Sequence, residues 1–150
     1  MPLIPVDDQN LIKDKFTKEL VNPVNVALFT QHESHLTIPG QECMYCKDTR
    51  QLIEEVSALS DKINLKIYDF VADAEVAKQM GVDKIPALVI DSDTGERVKY
   101  YGIPAGYEFS SLIEDIIDTS RRSTKLTTNT KEALQKLTKD IHIQVFVTPT

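Results

Sequence analysis

Residues 40–48 read GQECMYCKD and contain both cysteines of the 150-residue chain, spaced C-x-x-C. The residues downstream of the pair decide how it is used. From Cys43 to Ser60, CMYCKDTRQLIEEVSALS reads as one helix whose apolar stripe is Cys46, Ile53, Val56 and Leu59 or Ser60, with Thr49 and Leu52 beside it. Cys43 is then expected in the first turn, where unpaired N–H groups and about half a positive charge favour thiolate over thiol. Cys46, one turn on, faces the core stripe. The pair is asymmetric: an accessible nucleophile beside a shielded thiol that can close a disulfide with it. Glu42 opposes the thiolate through its own charge, and Lys47 partly offsets Glu42. A lowered but not extreme Cys43 pKa is expected.

Two other uses of the pair stay open. His32, His35, Cys43 and Cys46 form H-x2-H-x7-C-x2-C, four zinc-type ligands within fifteen residues. Structural zinc pairs usually sit on separate small elements, however, and here a strand and a long helix flank the loop. Two packed, inert thiols are disfavoured because a helix start is not a core position. A redox pair is the favoured use.

Outward from the pair, the chain alternates elements. Asp7 or Asp8 can cap a first helix carrying Ile12, Phe16 and Leu20, which Asn22-Pro23 ends. VNVALFT (24–30) is a strand with Val24, Val26 and Leu28 on one face, and residues 31–42 form a polar loop. After the cysteine helix come the strand NLKIYDF (64–70) and a short helix, AEVAKQM (74–80), with Asp73 as cap and Gly81 at a left-handed C-cap. PALVID (86–91), the turn SDTG (92–95) and ERVKYYG (96–102) give a hairpin signal. In the last core helix Phe109, Leu112, Ile113, Ile116 and Ile117 keep helical spacing. The order predicts an α/β fold: a mixed sheet, parallel strands first and an antiparallel hairpin last, with helices on both faces.

Composition narrows the function. A net charge of −6 argues against nucleic acid, which needs clustered Lys and Arg. Five glycines, none in a dinucleotide or phosphate-loop pattern, argue against a bound nucleotide, so no resident cofactor is expected beyond the redox-active Cys43–Cys46 disulfide. No apolar run approaches the ~20 residues that cross a bilayer, and MPLIPVDDQN lacks a signal peptide's regions. No membrane association is expected. The expected compartment is the cytoplasm, where a close cysteine pair is catalytic or metal-binding more often than structural.

The second informative stretch is EVAKQMGVDKIPALVI (75–90), in which Pro86 opens a β run forty residues after Cys46. With the upstream C-x-x-C helix it resembles the thioredoxin superfamily over about residues 8–120. The resemblance implies a thioredoxin-like fold, with Pro86 as the cis-proline of the substrate loop and Ile85 as the residue whose main chain contacts substrate. Tyr45, inside the pair, is similar to glutaredoxins. No tryptophan precedes Cys43, and strand 24–30 has no acid to match thioredoxin's buried aspartate. The proton acceptor for Cys46 is therefore unassigned, with Glu33 as a substitute pKa modulator. YYGIPAGYEFSSLIEDI (100–116) narrows the resemblance to the N-terminal unit of the tandem, glutaredoxin-like protein disulfide oxidoreductases of hyperthermophiles. Related modules occur in the flavoprotein of alkyl hydroperoxide reductase. The implied activity is thiol–disulfide exchange on disulfide-containing proteins, with electrons from a flavin-dependent thioredoxin reductase. The rivals are a zinc-stabilised binding module and a thioredoxin-fold interaction domain with an idle pair.

Residues 121–130, RRSTKLTTNT, read as a linker between a redox unit (1–120) and a C-terminal helix and strand (131–150). Asn129 can cap a helix through KEALQKLTKD, followed by the strand IHIQVFVT (141–148). VNVALF and IHIQVF align at an offset of 117 residues, close to one thioredoxin unit. The expectation is an orphaned start of a second unit in a truncated chain. Such a strand must pack on a sheet edge, pair with a second copy as a homodimer, or stay disordered.

Overall fold

Strand β1 (Val24–Thr30) is the centre of the fold and is buried at every position but Asn25. A strand covered on both faces reads as a continuous apolar run rather than an alternating one. On one side β1 pairs in parallel with β2 (Ile63–Asp69), and on the other antiparallel with β3 (Ala87–Asp91). Antiparallel β4 (Arg97–Tyr101) completes the order β2-β1-β3-β4. In this computed structural model residues 1–32, 42–91 and 97–148 are described. The expected turn at 92–95 lies outside them.

Three helices cover one face. Ile12 and Phe16 of α1 (Val6–Glu19), Leu52, Ile53 and Val56 of α2 (Cys46–Ser57), and Leu112, Ile113, Ile116 and Ile117 of α4 (Tyr107–Arg121) join Val24, Val26, Leu28, Leu88 and Ile90 in one cluster. The opposite face carries Ala27, Phe29, Ala87 and Val89 against Ala77 of α3 (Ala74–Gln79) and Val82. Gly81 follows α3 with φ 65°. A side chain there would meet both the left-handed strain and Lys99 Nζ, 2.8 Å from its Cβ.

Several local expectations need correction. Pro5, not Asp7 or Asp8, is the N-cap of α1. Its φ of −55° is already set for the turn, and both aspartates fall inside the first turn, where their charge suits the helix dipole. The helix ends at Glu19, before Asn22-Pro23. At α3 the Asp73 carboxylate does not cap its own helix but accepts from the Asp69 N–H at 2.8 Å. Near the C-terminus Thr127, not Asn129, caps α5 (Thr128–Gln135), through a bond from the Thr130 N–H. Helix α5 therefore takes in the end of the stretch read as a linker. The strand expected at 141–148 forms no ladder among the described residues, and Ile141, Ile143, Val145 and Val147 are exposed. A strand without a neighbour leaves its N–H and C=O groups to water, so apolar alternation alone does not make one.

One polar joint ties the ends of the unit together. Ser120 is fully buried near the end of α4; its Oγ accepts from the Val21 and Asn22 N–H groups and donates to the Asn22 carbonyl at 2.6 Å. Ser120→Ala removes the buried hydroxyl that accepts from the Val21 and Asn22 N–H groups and donates to the Asn22 carbonyl, and is expected to cost about 1–2 kcal/mol. A fall in the urea midpoint without a change in slope would show it.

Candidate functional site

The C-terminal end of the parallel strands gathers the site. At its last residues, β1 opposes Asp69 of β2 through Thr30 and Ala87 of β3 through Phe29. One residue before Ala87 lies Pro86, buried, with a cis Ile85–Pro86 bond. Its carbonyl accepts from the Gly102 N–H at 2.9 Å, just past the end of β4. The chain leaves β1 at Gln31, whose side-chain Oε1 accepts the Cys43 N–H at 2.8 Å. Topology thus brings the cysteine turn, the cis proline and the ends of all four strands to one edge of the sheet, where open α/β sheets place their ligands.

Cys43 and Cys46 form a disulfide with Cα atoms 5.4 Å apart. Cys43 is half-buried, whereas Cys46 is 4% exposed and belongs to the core side of α2. The expected asymmetry of access holds, but the helix start does not. Helix α2 begins at Cys46 with Tyr45 as N-cap, so Cys43 sits in the preceding turn, where its carbonyl accepts the Cys46 N–H at 3.2 Å. Cys43 lies just off the positive end of α2, close enough for the dipole to act.

The remaining expected residues divide by exposure. Met44 and Tyr45 present large apolar side chains to solvent beside the disulfide. Glu42 and Lys47 are exposed, so solvent screens their charges from Cys43. Ile85 is half-buried against the Phe29 face. Glu33 and His35 lie outside the described residues. His32 is exposed on the loop, and sulfurs bonded to each other offer no thiolate to a metal. Among the described residues no helix is long and apolar enough to cross a membrane.

Two residues that organise the site were not foreseen from the sequence. Gln31 offered no signal, because a glutamine after a strand carries no turn preference. Asp69 did offer one: an aspartate at a strand end before a turn commonly bonds backbone ahead of it. Its Oδ1 accepts from the Ala72 and Val71 N–H groups and its Oδ2 from the His32 N–H at 2.9 Å, pinning the departing loop to β2. Chiefly the Ala72 N–H, with Val71 and His32 behind it, holds this carboxyl below its ordinary value of 3.8. A depressed carboxyl contributes stability above its unfolded pKa and loses it as pH falls through the folded one. Acidification below about pH 4 should therefore loosen the His32, Val71 and Ala72 amides in hydrogen exchange. Asp69→Ala should expose them at neutral pH, at a cost of roughly 1–2 kcal/mol.

Comparison with known proteins agrees with this architecture. The family model described as thioredoxin domain matches residues 34–114. A protein disulfide oxidoreductase from Aeropyrum pernix superposes with a TM-score of 0.73 at 28% identity, covering 89% of this chain and 55% of that one. The NTD_N/C domain of alkylhydroperoxide reductase AhpF from Enterococcus faecalis superposes equally well, at 0.73, over 91% of this chain and 62% of that one; at 19% identity it shows the fold alone. In sequence, NADH dehydrogenase of Bacillus subtilis is 26% identical over 104 residues, which are 69% of this chain and 18% of that protein. The chain thus spans about half the length of the Aeropyrum protein and less than a fifth of the Bacillus one.

Proposed function

The chain belongs to the thioredoxin domain family, and from that premise we propose that it is a protein disulfide oxidoreductase working through Cys43 and Cys46. Its N-terminal unit resembles that of the tandem oxidoreductases, in line with the Aeropyrum likeness. The observation that carries the proposal is the unequal burial of two bonded sulfurs: one reachable, the other closed into the core. Cys43 thiolate attacks a substrate disulfide, giving a mixed disulfide. Cys46 then displaces the substrate thiol and restores the Cys43–Cys46 bond. Substrate lies as an extended strand along the Ile85–Pro86 main chain, with Tyr45 as an apolar contact. Support for that placement is the position of Pro86 one residue beyond the Phe29–Ala87 pair, at the edge the chain leaves for Cys43.

Electrons come from a flavin-dependent reductase of the thioredoxin reductase type. A nicotinamide-linked source is in keeping with the name of the Bacillus relative. The working compartment is the cytoplasm, where a redox-active pair cycles rather than staying oxidised. Residues 131–150 open a second unit, a reading supported by the repeat of VNVALF in IHIQVF.

Equilibration against graded dithiothreitol or glutathione tests the proposal. A reversible two-electron couple, together with reduction of insulin, is expected. A pair that does not cycle would leave the idle interaction domain, and stoichiometric zinc in the reduced protein would leave the binding module.

A further inference from the structure

Cys46 needs a polar partner once it is no longer bonded to Cys43, and strand β1 supplies no acid. Among the described residues only three polar or charged side chains are buried: Thr30, Thr49 and Ser120. Ser120 is engaged by Val21 and Asn22, far along the chain from the site, and the Thr30 hydroxyl is not among the buried side-chain atoms left without a partner. Thr49 is on α2, three residues after Cys46, and is 0% exposed. Its N–H is satisfied by the Tyr45 carbonyl at 2.9 Å, but its Oγ1 has no hydrogen-bond partner among the described residues. A helical threonine usually places its hydroxyl on a carbonyl three or four residues back, and this one does not. Leaving a buried hydroxyl unpaired is unfavourable. Among the described residues Thr49 Oγ1 and Ser57 Oγ, both on α2, are so placed, and of the two only Thr49 lies within one turn of Cys46.

Helix geometry supplies a partner. Residues at i and i+3 share a face, and helical side chains lean toward the N-terminus, so Thr49 covers the turn that carries Cys46. In the disulfide the Cys46 sulfur has no proton to donate and no charge to attract one. In the reduced protein, and above all in the mixed disulfide, it becomes a thiol or thiolate. We propose that the Thr49 hydroxyl is the hydrogen-bond donor to the Cys46 sulfur during resolution of the mixed disulfide. This rests on the oxidoreductase function proposed above.

The step balances without an external oxidant. Cys46 releases its proton to solvent and attacks the Cys43 sulfur. The Cys43–Cys46 bond forms as the bond from Cys43 to the substrate sulfur breaks. The substrate leaves with the electron pair as a thiolate and takes a proton from solvent. Thr49 keeps its own proton throughout and lowers the cost of negative charge on a buried sulfur.

Dithiobis(nitrobenzoate) mixed with the reduced full chain in stopped flow reads the step directly. Attack by Cys43 releases one thionitrobenzoate, and resolution by Cys46 releases the second. Thr49→Val removes the hydroxyl and keeps the shape. It should slow the second phase about tenfold, leave the first unchanged, and leave the oxidised protein at least as stable as wild type. Thr49→Ser should restore the second phase. An unchanged second phase in Thr49→Val overturns the inference, as does equal slowing in Thr49→Ser, which would report packing. A wild-type protein that releases no thionitrobenzoate overturns the oxidoreductase function, and this inference with it.

Discussion

Cys43→Ser is expected to abolish reduction of a protein disulfide such as insulin, a loss of more than about a thousandfold, because the chain's one other cysteine, Cys46, is buried. Cys46→Ser should lose turnover by a different route. Its Cys43 thiol can still attack, so it should accumulate a mixed disulfide that survives non-reducing electrophoresis and is released by dithiothreitol. The difference follows from burial: Cys46 is 4% exposed on the core side of α2, whereas Cys43 is half-buried in the turn before it. On the proposed function, substrate would reach the Cys43 sulfur and not that of Cys46. Trapping by Cys43→Ser would reverse the two roles.

Phe29→Ala should have the largest effect on stability. Phe29 is fully buried near the end of β1, with its ring stacked on Tyr68 at 5.1 Å between centroids and packed with Ala77, Val82 and Val89. Among the described residues this second face has only α3 as its helix, six residues long, so little can collapse into the space left behind. Truncating such a phenylalanine costs about 3–5 kcal/mol, a large part of the roughly 5–15 kcal/mol by which a domain is stable. Guanidinium unfolding of the oxidised protein measures it. Gln31, which holds the Cys43 N–H, lies two residues further on, so alkylation of Cys43 in the reduced variant should quicken as the midpoint falls. A loss under about 1 kcal/mol would mean that the face is far more plastic than its burial indicates.

Period and punctuation made most of the sheet and its helices legible in the sequence. Leu112, Ile113, Ile116 and Ile117 at helical spacing located α4, and Pro86 with Gly81 bracketed the passage from α3 into β3. The spacing of Cys43 and Cys46, with the apolar stripe behind Cys46, was enough to expect their asymmetry. These features are local: they depend on which residues lie within a few positions of one another along the chain. What the sequence could not carry was set by contacts between distant segments. Helix α2 starts at Cys46 rather than Cys43 in the bridged chain, whose turn is also held to Gln31, twelve residues back. Asp69 reaches across the sheet to His32, a bond that exists only because β1 and β2 end side by side. The clearest contrast is between two similar runs. VNVALF becomes a buried central strand because β2 and β3 flank it, whereas IHIQVF, similar at its apolar positions, has no neighbour among the described residues and forms no ladder. Alternation marks which side chains want cover, but a strand exists only where another backbone takes up its hydrogen bonds.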